Sequence, residues 1–199
     1  MENSINTKTI DFYDANAEDI YNKFKAINLT ESHDLFLDYI TEDAHILDAG
    51  CGSGRCTEYF LEQGYKVTAF DLSKELLKFI PEHTNLSKLH LAFQDMDFNE
   101  EFDAVWASAS LLHVPYEDMR SVYEKIHQSL KKDGVFYASY KYGYGHVSKD
   151  RDFYDMNEDK VMEYIDGLFD IIRIEVDSDL RNKKGMKLQP WFKFIARKK

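Results

Sequence analysis

The sequence predicts a single α/β domain built around a seven-stranded, mostly parallel sheet whose last strand is antiparallel. From about residue 43 onwards, short apolar segments alternate with segments of helical length. This alternation favours parallel βαβ units with right-handed crossovers. The last two apolar segments have no helical segment between them, so we expect them to pair as a hairpin and to add an antiparallel strand. Residues 1–42 are expected to form helices that lie over the core as a lid.

Two N-terminal helices are predicted from the spacing of apolar residues. Between residues 14 and 28 these residues recur three and four positions apart, as on the buried face of a helix. They are Ala17, Ile20, Tyr21, Phe24 and Ile27. Thr30 is predicted to cap a second helix. The inner face of that helix carries Leu35, Phe36, Tyr39 and Ile40.

The core elements follow in alternation along residues 43–199. Strands are predicted at residues 46–49, 67–71, 89–93, 102–107, 135–140, 169–176 and 191–196. Helices are predicted from about residue 55 to just before Gly64, from a capping Ser73 to Pro81, along residues 119–130 with closure at Gly134, and over residues 157–167.

The turn after the first strand contains Gly50, Gly52 and Gly54, at the junction with the next helix. Glycines at such a turn let backbone N–H groups approach a ligand closely, because no Cβ blocks the way. The following strand ends on Asp71, 17 residues after Gly54. A carboxylate there can accept hydrogen bonds from both hydroxyls of a ribose. The two features together predict a pocket for a cofactor that contains adenosine.

The spacing of the glycines distinguishes between such cofactors. A dinucleotide-binding turn needs Gly-x-Gly-x-x-Gly, and the last glycine position is Arg55 or Thr57 in the two possible frames. The phosphate-binding pattern Gly-x-x-x-x-Gly-Lys-Ser/Thr is also absent from the sequence. Residues 47–54 (Leu-Asp-Ala-Gly-Cys-Gly-Ser-Gly) and 70–73 (Phe-Asp-Leu-Ser) instead resemble the S-adenosyl-L-methionine (SAM) signature of class I methyltransferases.

The resemblance extends over nearly the whole chain to small bacterial methyltransferases of the tellurite-resistance-related and type 11/25 group. It includes residues 12–17, 110–115 and 139–143. It implies a Rossmann-like class I methyltransferase fold, a single methyltransferase domain with lid helices in residues 1–42 and a SAM-binding core in 43–199, and SAM as the cofactor. The chain departs from the group at Cys56 and at residues 191–193, so the identity of the acceptor is not carried over.

The resemblance implies a set of residues around the methionine part of SAM. Gly50 and Gly52 would supply backbone contacts, and Asp48 would lie near the ammonium group. Ala107, at the end of the fourth strand, would offer its carbonyl oxygen to the same ammonium group.

Other residues are implied at the ribose and adenine. Asp71 would bind the ribose hydroxyls, and Leu72 would pack on the adenine face. Asp95 would accept a hydrogen bond from the adenine amino group, and the backbone of Met96 would contact the ring edge. An alternative for Asp95 is a solvated acidic turn.

The lid would contribute Tyr13 and Tyr21, which the resemblance places over the methionine end of the cofactor. Ordinary packing of these rings between helices is an equally good interpretation of their positions.

His113 is the candidate general base for methyl transfer. It follows the fourth strand, at the edge where the acceptor is expected to enter, and a histidine titrates near neutral pH. The alternative is that His113 caps the following helix or lines the pocket.

The acceptor is expected to contact Lys141, Tyr142 and Tyr144, which follow the fifth strand at the carboxyl edge of the sheet. The polar run over residues 146–155 is predicted to form a substrate lid. A basic and aromatic rim of this kind suits a small acidic or aromatic acceptor.

Composition restricts the partners. The net charge of −11 disfavours nucleic acid as a substrate. Residues 181–199 hold 8 Lys/Arg and no Asp/Glu. This run indicates either the solvated face of a strand together with the chain end or, less favoured, a patch for an acidic partner.

No apolar run is long enough to span a membrane and the start lacks a signal pattern, so we expect a cytoplasmic protein. Cys51 and Cys56 have poor spacing for a metal site, and none is predicted.

These observations predict a SAM-dependent methyltransferase that acts on a small-molecule acceptor, or on an inorganic oxyanion after reduction. Two alternatives remain open. One is a non-catalytic module that binds SAM or a protein partner, and the other is an oxidoreductase on the same type of sheet.

Overall fold

The computed structural model describes residues 7–177 and 189–199. Its helices are α1 (Thr7–Ala15), α2 (Ala17–Phe24), α3 (Thr30–Leu37), α4 (Arg55–Glu62), α5 (Lys74–Leu77), α6 (Tyr116–Ser129) and α7 (Glu158–Ile165). Its strands are β1 (His45–Ala49), β2 (Lys66–Asp71), β3 (Leu86–His90), β4 (Phe102–Ser108), β5 (Leu130–Lys141), β6 (His146–Ser148), β7 (Asp152–Tyr154), β8 (Phe169–Asp177) and β9 (Trp191–Lys198).

Seven strands form one sheet in the order β3-β2-β1-β4-β5-β9-β8. Strands β1 to β5 are parallel to one another, whereas β9 is antiparallel to both β5 and β8. The predicted fold class, including the antiparallel last strand, is therefore confirmed. The strand order reverses between β1 and β4, and open α/β sheets bind ligands in the crevice at such a point.

The sheet is covered on both faces, because its central strands carry buried apolar residues on each face. On one face, Trp106 of β4 stacks on Tyr137 of β5, with ring centroids 3.8 Å apart and planes 8° apart. Phe36 of α3 and Phe60 of α4 pack on this pair. On the other face, the largest cluster of buried residues packs under α6 and α7. This packing holds the ends of β1 and β4 in place.

The N-terminal segment differs from the prediction in two ways. The single helix predicted over residues 14–28 is the C-terminal part of α1 followed by α2, and the two are separated at Asn16. The Asn16 side-chain amide donates to the Phe12 carbonyl oxygen at 2.8 Å, which satisfies the end of α1. Thr30 begins α3 rather than capping it, and its backbone N–H donates to the Asn28 side chain at 2.8 Å.

Several core boundaries also differ from the prediction, most clearly at β3 and β5. Strand β3 lies three residues earlier than expected, since its ladder with β2 pairs Val67 with Leu86 and Asp71 with His90. Phe93 belongs instead to a 3₁₀ turn, where it packs edge-to-face on Phe70. Leu130, predicted on a helix, begins β5. Ser73 does cap α5, because its hydroxyl accepts from the Leu76 N–H at 3.1 Å.

The segment predicted as a lid contains the hairpin β6–β7, which forms a separate two-stranded sheet. Helix α1 contacts this hairpin, since Lys8 Nζ donates to Ser148 Oγ at 3.0 Å and the Asp152 N–H donates to Thr9 Oγ1 at 3.1 Å. None of the helices within 7–177 and 189–199 has the length and apolarity that crossing a membrane requires.

Candidate active site

A cavity of about 350 Å³ lies at the carboxyl ends of the parallel strands, beneath α1, α2 and the β6–β7 hairpin. Its size is in the range of small-molecule sites. Eight of the predicted site residues line it: Tyr13, Asp48, Gly50, Gly52, Asp71, Leu72, His113 and Lys141. The structure thus brings together residues from both ends of the chain at the edge that the motifs predict.

The glycine turn is attached to the end of β2 by its backbone. The N–H groups of Gly50 and Cys51 both donate to the Phe70 carbonyl oxygen at 2.9 Å. Gly50 has a φ of +71°, and a Cβ at this position would lie 2.4 Å from the Cβ of Ser110. The position therefore requires glycine both for its backbone conformation and for its contact with the segment after β4.

Asp71 is held by two backbone N–H groups. Its Oδ2 accepts from Gly52 and its Oδ1 accepts from Ser73, both at 2.8 Å. Burial raises the pKa of the carboxyl group, while these hydrogen bonds favour its ionised form. The carboxylate is thereby oriented at the cavity wall, where a vicinal diol such as that of ribose would meet it.

Asp48 lies deeper in the same wall and is almost completely buried. Its Oδ2 accepts a hydrogen bond from the Thr57 hydroxyl at 2.6 Å. Burial raises the pKa of Asp48 to about 7, so a cation bound beside it would favour its ionised form. This arrangement fits the ammonium group of a methionine moiety.

Besides Tyr21, three cofactor residues implied by the resemblance lie outside the cavity lining. Asp95 is exposed, and Met96 is buried with its carbonyl oxygen accepting from Lys125 Nζ at 2.7 Å. Ala107 is fully buried opposite Ala138 in the sheet. The segments that do line the cavity here are residues 91–94 and 108–110.

The two lid tyrosines have different surroundings. Tyr21 stacks on Phe79, with centroids 4.6 Å apart, and it does not line the cavity. Tyr13 does line it, and the Tyr13 hydroxyl lies 2.9 Å from His113 Nε2.

His113 lines the cavity beneath the hairpin. Its Nδ1 lies 2.6 Å from the Asp152 carbonyl oxygen. Helix α6 begins at Tyr116 with Pro115 at the cap position, so the capping alternative for His113 is wrong. Burial lowers the pKa of His113 to about 4, and the ring is therefore neutral at pH 7.

The acceptor side of the cavity differs in detail from the prediction. Lys141 lines it, with its ammonium group 3.5 Å from the Phe153 ring centroid. Tyr142 and Tyr144 do not line it, and Tyr144 is 69% exposed. Five residues line this side that were not among the predicted site residues: Arg151, Phe153, Asp177, Trp191 and Lys193. Only the polar lid prediction over residues 146–155 pointed to any of them.

Of the basic run predicted over residues 181–199, the structure describes the part from residue 189 onwards. Lys193 is paired with Asp177, and Lys199 with Asp170 at 3.2 Å. Lys198 Nζ lies 3.6 Å from a Glu100 oxygen. The basic residues Arg181 to Lys187 lie outside the described residues.

Comparison with known proteins finds that this chain is similar to methyltransferases. A family model described as a methyltransferase domain (type 11) matches residues 47–138. An uncharacterized methyltransferase of Staphylococcus carnosus is 27% identical over 175 residues, which cover 77% of this chain and 84% of that protein. A ubiquinone biosynthesis O-methyltransferase of Pasteurella multocida is 30% identical over 138 residues, which cover 58% of this chain and 55% of the relative. This chain thus spans about half the length of that relative.

A solved structure shares the fold over almost the whole chain. It is 1,6-didemethyltoxoflavin-N1-methyltransferase of Burkholderia thailandensis, with bound 1,6-didemethyltoxoflavin and S-adenosylhomocysteine. Its TM-score is 0.80 at 22% sequence identity, and the match covers 96% of this chain and 88% of that one.

Proposed function

We propose that this chain, a class I SAM-dependent methyltransferase, transfers the cofactor's methyl group to a small molecule bound in the cavity beneath α1 and the β6–β7 hairpin. The observation that supports this most directly is the position of Asp71 and the glycine turn on one wall of a cavity whose other wall carries aromatic and basic side chains.

The residues of the cofactor wall fit SAM. The glycine turn lines the cavity, Asp71 would accept from the ribose hydroxyls, and Asp48 would lie near the ammonium group. When bound, SAM supplies an electrophilic methyl group on a sulfonium. Leu72 and residues 91–94 line the part of the cavity where we place the adenine. Asp95 and Met96 would reach it only after a local rearrangement.

A small acceptor is supported by the enclosure and the charge of the other wall. Arg151 lies against three rings, with its guanidinium carbon 4.4 Å from the Phe12 centroid, 5.1 Å from Tyr13 and 5.0 Å from Phe153. Lys141 adds a second cation. This wall suits a small, flat or acidic acceptor, whereas the net charge of −11 disfavours a polyanion such as nucleic acid.

Methyl transfer needs alignment more than covalent help from the protein. Holding the nucleophile about 3 Å from the methyl carbon, in line with the bond to sulfur, supplies several kcal/mol. His113 lines the side of the cavity where we place the acceptor. We place it as the proton acceptor for the reaction, because Nε2 of its neutral ring carries no hydrogen when Nδ1 donates to the Asp152 carbonyl oxygen.

The two alternatives raised by the sequence are set aside. The matching family model and the relatives are methyltransferases, which favours methyl transfer over the oxidoreductase and over the non-catalytic module.

The cofactor part is tested by calorimetry with SAM on the parent protein and on Asp71→Ala. Removing the carboxylate leaves two ribose hydroxyls without a charged acceptor, and we expect affinity to fall about 100-fold or more. Asp170→Ala is the matched control, since Asp170 lies on β8, outside the cavity lining, and pairs with Lys199. Equal affinity in Asp71→Ala and the parent would contradict the cofactor pose.

The acceptor part is tested by a transfer screen with methyl-labelled SAM. The panel contains phenols, ring N–H heterocycles, carboxylates, amines, thiols and selenium or tellurium oxyanions. Labelling of at least one small acceptor is expected. Binding of SAM without transfer to any of them would contradict a small-molecule acceptor.

A further inference from the structure

A chain of hydrogen bonds connects three separate segments at the acceptor side of the cavity. Arg151 Nη1 donates to the Tyr13 hydroxyl oxygen at 2.9 Å. The Tyr13 hydroxyl lies 2.9 Å from His113 Nε2, and His113 Nδ1 lies 2.6 Å from the Asp152 carbonyl oxygen. Tyr13 comes from α1, His113 from the turn after β4, and the other two residues from the hairpin.

The chemistry of the end groups determines the direction of every bond in this chain. A carbonyl oxygen only accepts, so the Asp152 contact requires the hydrogen of His113 to be on Nδ1. In the neutral ring Nε2 is then an acceptor, and the Tyr13 hydroxyl must donate to it. A guanidinium only donates, so Tyr13 receives its other hydrogen bond from Arg151. A neutral His113 therefore has its basic nitrogen directed at Tyr13.

We infer that Tyr13 is a catalytic residue that receives the acceptor's proton while passing its own proton to His113, so that the acceptor is a molecule with a hydrogen on its nucleophilic oxygen or nitrogen. This inference rests on the proposed function. In this role Tyr13 contacts the reacting atoms, rather than only covering the cofactor.

The step balances in atoms and charge. The acceptor's lone pair forms a bond to the methyl carbon, and the electron pair of the carbon–sulfur bond stays on sulfur, which becomes a neutral thioether. The acceptor's proton moves to the Tyr13 oxygen as the phenolic proton moves to His113 Nε2. The products are the methylated acceptor, S-adenosylhomocysteine and an imidazolium, which returns its proton to water when the site opens.

The charges around the pair act differently on Tyr13 and on His113. The Arg151 guanidinium stabilises negative charge that develops on the phenol oxygen during proton transfer. Burial, Arg151 and Lys141 lower the pKa of His113, and the Asp152 contact raises it, with a result of about 4. At neutral pH the ring is therefore unprotonated, and because so low a pKa makes it a weak base, it gains the proton only as the sulfonium loses its charge. One positive charge moves from sulfonium to imidazolium, so the net charge of the enclosed site does not change.

The kinetic test compares Tyr13→Phe, His113→Asn and the double variant on an O–H or N–H acceptor that the labelled screen identifies. Each single variant is expected to keep SAM affinity within a few-fold and to lower kcat by about 10²–10⁴. The double variant should lose little more than either single one, because the two residues act as a unit.

Tyr59→Phe is the matched control for removal of a phenol. Tyr59 lies on α4, outside this cavity, and its hydroxyl donates to Asp34 at 3.1 Å. We expect unchanged turnover in this variant. Full activity in Tyr13→Phe together with an inactive His113→Asn would overturn the relay and leave His113 as a direct base. Transfer only to thiolates or oxyanions would overturn the acceptor class.

A second measurement does not depend on the acceptor. In ¹⁵N-histidine spectra of the protein with S-adenosylhomocysteine at pH 7, His113 should be neutral with its hydrogen on Nδ1. The Nε2 resonance should move in Tyr13→Phe and not in Tyr59→Phe. A hydrogen on Nε2 would overturn the inference, since that nitrogen could not accept from Tyr13. Absence of SAM binding or of any transfer would instead count against the proposed function.

Discussion

Replacing Gly50 by alanine tests whether the tight approach of the glycine turn to the segment after β4 shapes the cofactor site. Gly50 and Gly64 both have positive φ, +71° and +93° respectively. Alanine at either position incurs a backbone strain of about 1–2 kcal/mol. Only at Gly50 does the new Cβ meet other atoms, at 2.4 Å from Ser110 Cβ and 3.2 Å from Phe93 Cε2.

The added contact at Gly50 sets the expected difference between the two variants. Overpacking of this kind costs about 1–3 kcal/mol. Displacing Ser110 would also weaken its hydrogen bond to the Ala49 carbonyl oxygen, which is 2.7 Å long, at a further cost of about 1 kcal/mol. We therefore expect Gly50→Ala to lower the free energy of unfolding by about 3–6 kcal/mol, against about 1–2 for Gly64→Ala.

Urea unfolding measures the stability of both variants, and calorimetry measures their SAM affinity. Gly50→Ala should bind SAM at least tenfold more weakly if it folds, because the turn must move away from Ser110. Gly64→Ala has no atom within 4 Å of its new Cβ and should bind SAM normally. Equal losses of stability in the two variants, or normal SAM binding by Gly50→Ala, would refute the argument.

Two further predictions concern pH. Asp48 has a pKa raised to about 7, and a bound ammonium group would favour its ionised form, so SAM affinity should rise with pH up to about 7 and then level off. Asp48→Asn should flatten this profile, and an unchanged profile in the variant would exclude Asp48 as its source. His33 has a pKa lowered to about 4 by burial and by Arg55, so the folded state binds fewer protons than the unfolded chain and stability falls as pH falls from 6.5 to about 4. His33→Phe, which keeps a ring against Tyr59, should reduce this loss in urea unfolding at pH 4 and pH 7 by about 1–3 kcal/mol; an equal loss in both proteins would contradict it.

The cofactor wall was largely predictable because its geometry is local. Gly50, Gly52 and Asp71 lie at the ends of two consecutive strands. These strands pair in parallel with Ala49 opposite Phe70, which brings the two motifs together. Asp48 precedes the turn by two residues and faces the same wall. The glycine turn and Asp71 could therefore be placed from spacing, whereas the place of Asp48 came from the resemblance.

Residues transferred from the resemblance alone agreed less well with the cavity. Ala107 lies within the sheet, whereas its neighbour Ser108 lines the cavity, a difference of one residue along β4. Side chains alternate between the faces of a strand, and small shifts at its end decide which backbone groups become accessible. Tyr142 and Tyr144 follow β5 in sequence, but the chain turns away from the cavity after Lys141.

The sequence by itself determined the α/β sheet, the antiparallel last strand and the position of the cofactor turn, because apolar periodicity and glycine spacing act over short stretches of chain. Only the tertiary structure decided what surrounds the acceptor. The Tyr13 hydroxyl lies 2.9 Å from both His113 Nε2 and Arg151 Nη1, although the three residues are tens of positions apart in the chain. Their meeting depends on how α1 and the β6–β7 hairpin pack over the ends of the sheet, and such long-range packing leaves no periodic pattern in the sequence.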